Sequence, residues 1–157
     1  MRECPLGDHL AYRGAKPYNS RELAGWKLAK ILIVEDNALN IKLFCDLLAA
    51  HGHEPEAVTD SRNALDAARG FSPDLVITDI QLPHVSGLEL IRLIRGDEKL
   101  AEVPIMAVTA YSALGDEERI RAAGAQAYVS KPISVVKFAQ TVDELLAGKH
   151  EPAVHES

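Results

Sequence analysis

Three short runs, Ile31-Leu32-Ile33-Val34, Leu75-Val76-Ile77-Thr78 and Pro104-Ile105-Met106-Ala107-Val108, are apolar without alternation. A strand with one wet face alternates apolar and polar residues, so continuous apolarity marks strands covered on both faces, as in a parallel sheet. Two weaker strand candidates follow the same spacing at Glu54 to Val58 and Ala127 to Val129. Helical patterns separate the strands at Ala38 to His51, Arg62 to Arg69, Leu88 to Ile94, Leu114 to Ala123 and Val135 to Leu146. Gly52, Gly70 and Gly124 follow the first, second and fourth of these, where glycine supplies a left-handed closing turn.

Strand followed by helix, five times over, predicts right-handed crossovers and an α/β doubly wound sheet. Pro55 cannot donate to a ladder, which places the second strand at an edge. The order 2-1-3-4-5, the flavodoxin-like arrangement of five parallel strands and five helices, satisfies that. In such sheets ligands bind in the crevice beyond the carboxyl ends of the strands.

The chain's 157 residues are 47% hydrophobic and 25% charged, the composition of one ordinary globular domain. Aromatic residues are 5%, so the core is aliphatic. A net charge of −6 repels phosphate backbones and acidic membranes, which argues against nucleic acid or a membrane as partner. Cys4 and Cys45 make no disulfide framework and suit a reducing cytosol. No run approaches the ~18 apolar residues of a membrane span, and the start lacks a signal-peptide stretch, so a cytoplasmic protein is expected. Residues 1–27 carry five basic and three acidic residues, and the remaining 130 therefore carry −8. The first segment has no periodicity and reads as a loose arm, residues 28–147 as the domain, and residues 148–157 as a flexible tail.

The strand ends carry the chemistry. Glu35, Asp36 and Asn37 follow the first strand, Asp79 the third, Thr109 the fourth, and Lys131-Pro132 the fifth. Convergent carboxylates repel one another, and a divalent cation relieves that repulsion. Mg²⁺ suits the set, since it takes hard oxygens from one or two carboxylates and the rest from water and phosphate. A lysine and a hydroxyl complete a site for a phosphoryl group, with Asp79 as nucleophile.

The motifs Val34-Glu35-Asp36-Asn37, Thr78-Asp79-Ile80-Gln81-Leu82-Pro83 with Ser86-Gly87, Val108-Thr109-Ala110 and Ser130-Lys131-Pro132 resemble those of the receiver domains of bacterial two-component response regulators, a CheY-like fold. The resemblance spans about Lys30 to Leu146. It implies that Asp79 accepts a phosphoryl group from a sensor histidine kinase or phosphotransfer protein. It further implies that Asp36 binds Mg²⁺ directly, Glu35 through water and Gln81 through its carbonyl. Lys131 would pair with Asp79 and then with the phosphoryl group, and Thr109 would donate its hydroxyl. Tyr128 would be the switching aromatic, a static half-buried ring being the other reading. The peptide before Pro132 is expected to be cis.

More narrowly, Glu35 to Asn40, Asp79 to Pro83, Gly115 to Arg121 and Ser130 to Val136 resemble the DivK type of stand-alone receiver, a cell-cycle and division regulator of alphaproteobacteria. That likeness implies signalling to a downstream protein by contact, as a monomer or weak dimer and not by turnover. The arm departs from it. Leu39, Asn40 and Leu43 on the first helix, with Ile133 and Ser134 across the site, are candidates for docking the phosphodonor. Leu43 reads equally as widening the core contact, and the charges Asp116, Glu117, Arg119 and Arg121 as either an output face or a solvated one. His51 and His53 lack a third ligand and read as surface histidines.

Three rival readings remain. A haloacid-dehalogenase-like phosphatase needs its nucleophile after the first strand in a D-x-D pattern, which Glu35-Asp36-Asn37 does not provide. A flavin binder wants a glycine- or hydroxyl-rich loop there, and this loop is acidic. A phosphorylation-independent interaction module needs none of Asp36, Asp79, Thr109 and Lys131, yet all four are present.

Overall fold

The computed structural model describes residues 2–3, 29–110 and 116–148. Among them, five parallel strands, β1 (Lys30–Val34), β2 (Glu54–Val58), β3 (Leu75–Asp79), β4 (Ile105–Thr109) and β5 (Ala127–Ser130), pair in the order β2-β1-β3-β4-β5. Five helices connect and follow them: α1 (Ala38–Ala50), α2 (Ala64–Phe71), α3 (Gly87–Arg95), α4 (Asp116–Ala123) and α5 (Val135–Leu146). The doubly wound sheet expected from the apolar runs is the fold observed.

Period-2 geometry sends alternate residues of each strand to opposite faces. Ile31, Ile33, Leu75, Ile77, Met106, Val108 and Val129 pack with α1 and α5, where Phe44 and Phe138 stack at 5.1 Å between ring centroids. Leu32, Val34, Val76, Ile105 and Ala107 face α2, α3 and α4. Covered on both sides, β3 and β4 are buried at every position.

Several local expectations are corrected. The second helix runs through Gly70, and Ser72, at φ 54°, makes the left-handed turn instead, whereas Gly52 (φ 89°) and Gly124 (φ 126°) turn as expected. A 3₁₀ turn, Ser61–Asn63, precedes α2. The site-bearing strands extend one residue further than their apolar runs, so Asp79, Thr109 and Ser130 are the last residues of β3, β4 and β5. Pro55 lies on β2, but Arg2–Glu3 forms a two-residue strand antiparallel to it, paired with Ala57 and Glu56, so part of the expected loose arm is ordered against the sheet edge. His53 is buried at 3% exposure, not on the surface. Cys45 is fully buried in α1. The expected helix start at Leu114, most of the arm and nearly all of the tail lie outside the described residues.

Candidate functional site

The site is built by ladders that continue past the strand ends. Glu35 N donates to Val58 O at 3.1 Å, Ile80 N to Val108 O at 2.9 Å, and Lys131 N to Thr109 O at 2.8 Å. These bonds hold the four connections side by side. Glu35, Asp79 and Thr109 are buried at 1%, 5% and 1% exposure, while Asp36 is exposed.

Asp79 sits at the centre. Lys131 Nζ donates to its Oδ2 at 3.1 Å, and Gln81 N to its Oδ1 at 3.2 Å. Thr78 Oγ1 donates to the Asp79 carbonyl at 3.0 Å. Gly87, the first residue of α3, is required by close approach: a Cβ there would fall against the Asp79 carbonyl oxygen, and Gly87 N donates to Ile80 O at 2.9 Å. The loop between β3 and α3 is braced from α2's side by Ser61, whose Oγ donates to Pro83 O at 2.8 Å and accepts from Val85 N at 3.1 Å.

Glu35, Asp36 and Asp79 each present a carboxylate oxygen, all within 4.8 Å of one another. Glu35 Oε2 accepts from Asn37 N at 3.1 Å. Its buried Oε1 accepts no hydrogen bond and has Lys131 Nζ at 3.8 Å. Burial, reinforced by the neighbouring Asp79 charge, pushes the Glu35 carboxyl up to about 7. Hard oxygens, one of them buried and accepting no hydrogen bond, in a cluster with more negative than positive charge fit a small divalent cation.

Residues 31–143 match the response regulator receiver domain family. The chain belongs to that family. It is 52% identical over 116 residues to the polar-differentiation response regulator DivK of Brucella ovis, covering 74% of this chain and 94% of the relative. DivK of Brucella anthropi is 51% identical over the same shares. Among solved receivers, the chemotaxis protein CheY4 of Vibrio cholerae superposes with a TM-score of 0.72 at 25% identity, covering 76% of this chain and 99% of that one. The receiver domain of the sensor histidine kinase PA1611 of Pseudomonas aeruginosa, solved with a magnesium ion in its active-site cleft, gives 0.71 at 30% identity, covering 77% and 99%.

Glu35, Asp36, Asp79, Gln81, Thr109 and Lys131 end or follow strands at this end of the sheet, while Tyr128 lies within β5, two residues before its end. Gln81 stands two residues after Asp79 in the loop, and the Lys131-Pro132 peptide is cis. Thr109 and Ser130 are paired across β4 and β5, as are Ala107 and Tyr128. Tyr128 is half-buried and its hydroxyl donates to Glu117 Oε1 at 3.3 Å. Of the docking candidates, Leu39 is 77% exposed, Asn40 and Leu43 are half-buried, and Leu43 packs against the core. Ile133 also packs on that core, and Ser134 caps α5 by accepting from Lys137 N at 3.3 Å. Asn37, not Asp36, caps α1, accepting from Asn40 N at 3.0 Å and leaving the Asp36 carboxylate to the cluster. The Ser61 brace was missed, because a serine 22 residues from Pro83 gives no local signal.

Proposed function

We propose that this receiver is a phosphorelay response regulator of the DivK kind, taking a phosphoryl group on Asp79 and signalling by altered protein contacts. The observation that carries the reading is the buried Asp79 carboxylate, held 3.1 Å from Lys131 Nζ within a cluster of three carboxylates. An Asp79 oxygen attacks the phosphorus of a phosphohistidine on a sensor kinase or phosphotransfer protein. The P–N bond breaks with its electron pair returning to the imidazole, and Asp79 becomes an acyl phosphate. Lys131 first orients the carboxylate and then pairs with a phosphoryl oxygen, while Thr109 donates its hydroxyl to another.

Glu35, Asp36, Asp79 and the Gln81 carbonyl would hold Mg²⁺, whose charge offsets that of the equatorial phosphoryl oxygens. The PA1611 receiver's magnesium supports this assignment, as does the unsatisfied Glu35 oxygen.

Exposed Leu39, at the start of α1, and Val135 and Val136 (48% and 66% exposed), at the start of α5, flank the site with Ile133 and Leu43. Two helix starts bearing apolar side chains suit a helical phosphodonor. The Thr109–Tyr128 pair would carry the change to α4 and a downstream partner, in a cell-division role in the cytoplasm. The test is uptake of labelled phosphoryl from acetyl phosphate. Uptake that requires Mg²⁺ and stops with EDTA supports the reading, and turnover of a generic phosphomonoester without a stable adduct contradicts it.

A further inference from the structure

The described residues of α4 are tied to the domain very differently at their two ends. At the C-terminal end, Arg121 Nη1 donates to Gln126 O at 2.9 Å. Arg95, reaching across from α3, donates to Gly124 O at 2.9 Å, to Ala101 O at 3.0 Å, to Val103 O at 2.7 Å and to Gln126 Oε1 at 2.8 Å. Gln126 Oε1 also accepts from Ile105 N at 2.8 Å, which fastens the starts of β4 and β5 to the same node. Gly124 fits only as glycine: its φ is +126°, and a Cβ would lie 2.5 Å from Arg95 Cγ. Ile120 and Ala123 are buried beneath this end.

The first turn of α4 is Asp116, Glu117 and Glu118, all acidic. Among the described residues, the Glu117 carboxylate ties this turn to the sheet, accepting from Tyr128 Oη at 3.3 Å on one oxygen and from Arg121 Nε at 3.0 Å on the other. That carboxylate is 43% exposed, so water can replace it cheaply. Tyr128 and Ser130 share a sheet face with Ala107 and Thr109, their register partners, so a ring leaving Glu117 meets the small Ala107 beside Thr109. Among the described residues, several buried or backbone ties at the C-terminal end and one half-exposed carboxylate at the first turn describe a lever.

We propose that Glu117 is the latch of this lever: by holding Tyr128 on α4 it sets the balance between the conformation seen here and the phosphorylated-type one. Glu117 is thus a positioning residue acting through Tyr128, and the inference rests on the Thr109–Tyr128 switch proposed above. The Tyr128 phenol is held above its usual range by burial and by the Glu117 charge, so its titration reports the latch directly.

The experiment is a double-mutant cycle on the full chain with Glu117→Ala, Tyr128→Phe and the pair, each titrated with beryllofluoride and Mg²⁺ and followed by the Thr109 amide NMR signal. Losing one hydrogen bond that exists in only one of two states shifts the balance about fivefold. Each single variant should therefore bind beryllofluoride about fivefold more tightly than the parent. The double variant should gain no more than either single one. Glu117→Gln, which keeps an acceptor for the phenol, should restore most of the parent affinity, and Glu117→Ala should lower the Tyr128 titration midpoint. Unchanged affinities, or additive gains, would overturn the latch while leaving Asp79 phosphorylation standing. A parent protein that does not respond to beryllofluoride would overturn both.

Discussion

Replacing Gly87 with alanine tests how tightly Asp79 is held. A Cβ at Gly87 would fall against the Asp79 carbonyl oxygen, 2.6 Å from Ile80 Cα and 2.9 Å from Asp79 C. These are backbone atoms, so no rotamer change relieves the contact and either α3 or the end of β3 must move. Alanine gains at most about 1 kcal/mol of helix propensity, and less at a first helical position. Forced shifts in a packed core cost about 1–3 kcal/mol. The net expectation is a loss on the order of 1–2 kcal/mol, read as a lower urea midpoint with unchanged slope. Gly70 provides the contrast: it lies within α2 and a Cβ would meet nothing within 4 Å, so Gly70→Ala should stabilise by about 0.4–1 kcal/mol. Because the displaced atoms carry Asp79, Gly87→Ala should also slow phosphoryl uptake from acetyl phosphate about tenfold or more. If Gly87→Ala matches Gly70→Ala in stability and the parent in rate, the close approach does not position Asp79.

Glu35 makes stability depend on pH. Its folded carboxyl titrates near 7, above the usual 4.5, so the folded state binds more protons than the unfolded one between those values and stability falls as pH rises through them. Thermal melts in EDTA should show this fall, and Glu35→Gln should flatten it. Arg95→Met strands the carbonyls of Gly124, Ala101 and Val103 and should cost roughly 2–4 kcal/mol in urea unfolding. Leu39→Asp puts a charge on an exposed apolar side chain beside the site, so transfer from a phosphohistidine protein should slow about tenfold relative to uptake from acetyl phosphate.

The sheet was legible because β1, β3 and β4 each carry an unbroken run of at least three apolar residues, which burial on both faces requires. The site was legible for a related reason: parallel strands put Glu35, Asp79, Thr109 and Lys131 at one end, so sequence order translates directly into spatial convergence. What escaped reading is held by contacts remote in sequence. Ser61 bracing Pro83 and Arg95 gathering Gly124 and Gln126 leave no periodicity, since any exposed loop has a serine and any helix end an arginine. Gly70 misled because a glycine before a break suggests a cap, whereas α2 continues one residue further to bury Phe71 at 5% exposure. His53 looked solvated beside His51, yet it stands next to β2 at the base of α1, where the chain turns inward.

Asp79 as the phosphoacceptor is tested most directly by intact-mass and peptide mass spectrometry after incubation with acetyl phosphate and Mg²⁺, with Asp79→Asn alongside. The parent should gain one phosphoryl group, on the peptide containing Asp79, and the variant none. A parent that stays unmodified, or a variant that gains the same mass, would contradict it.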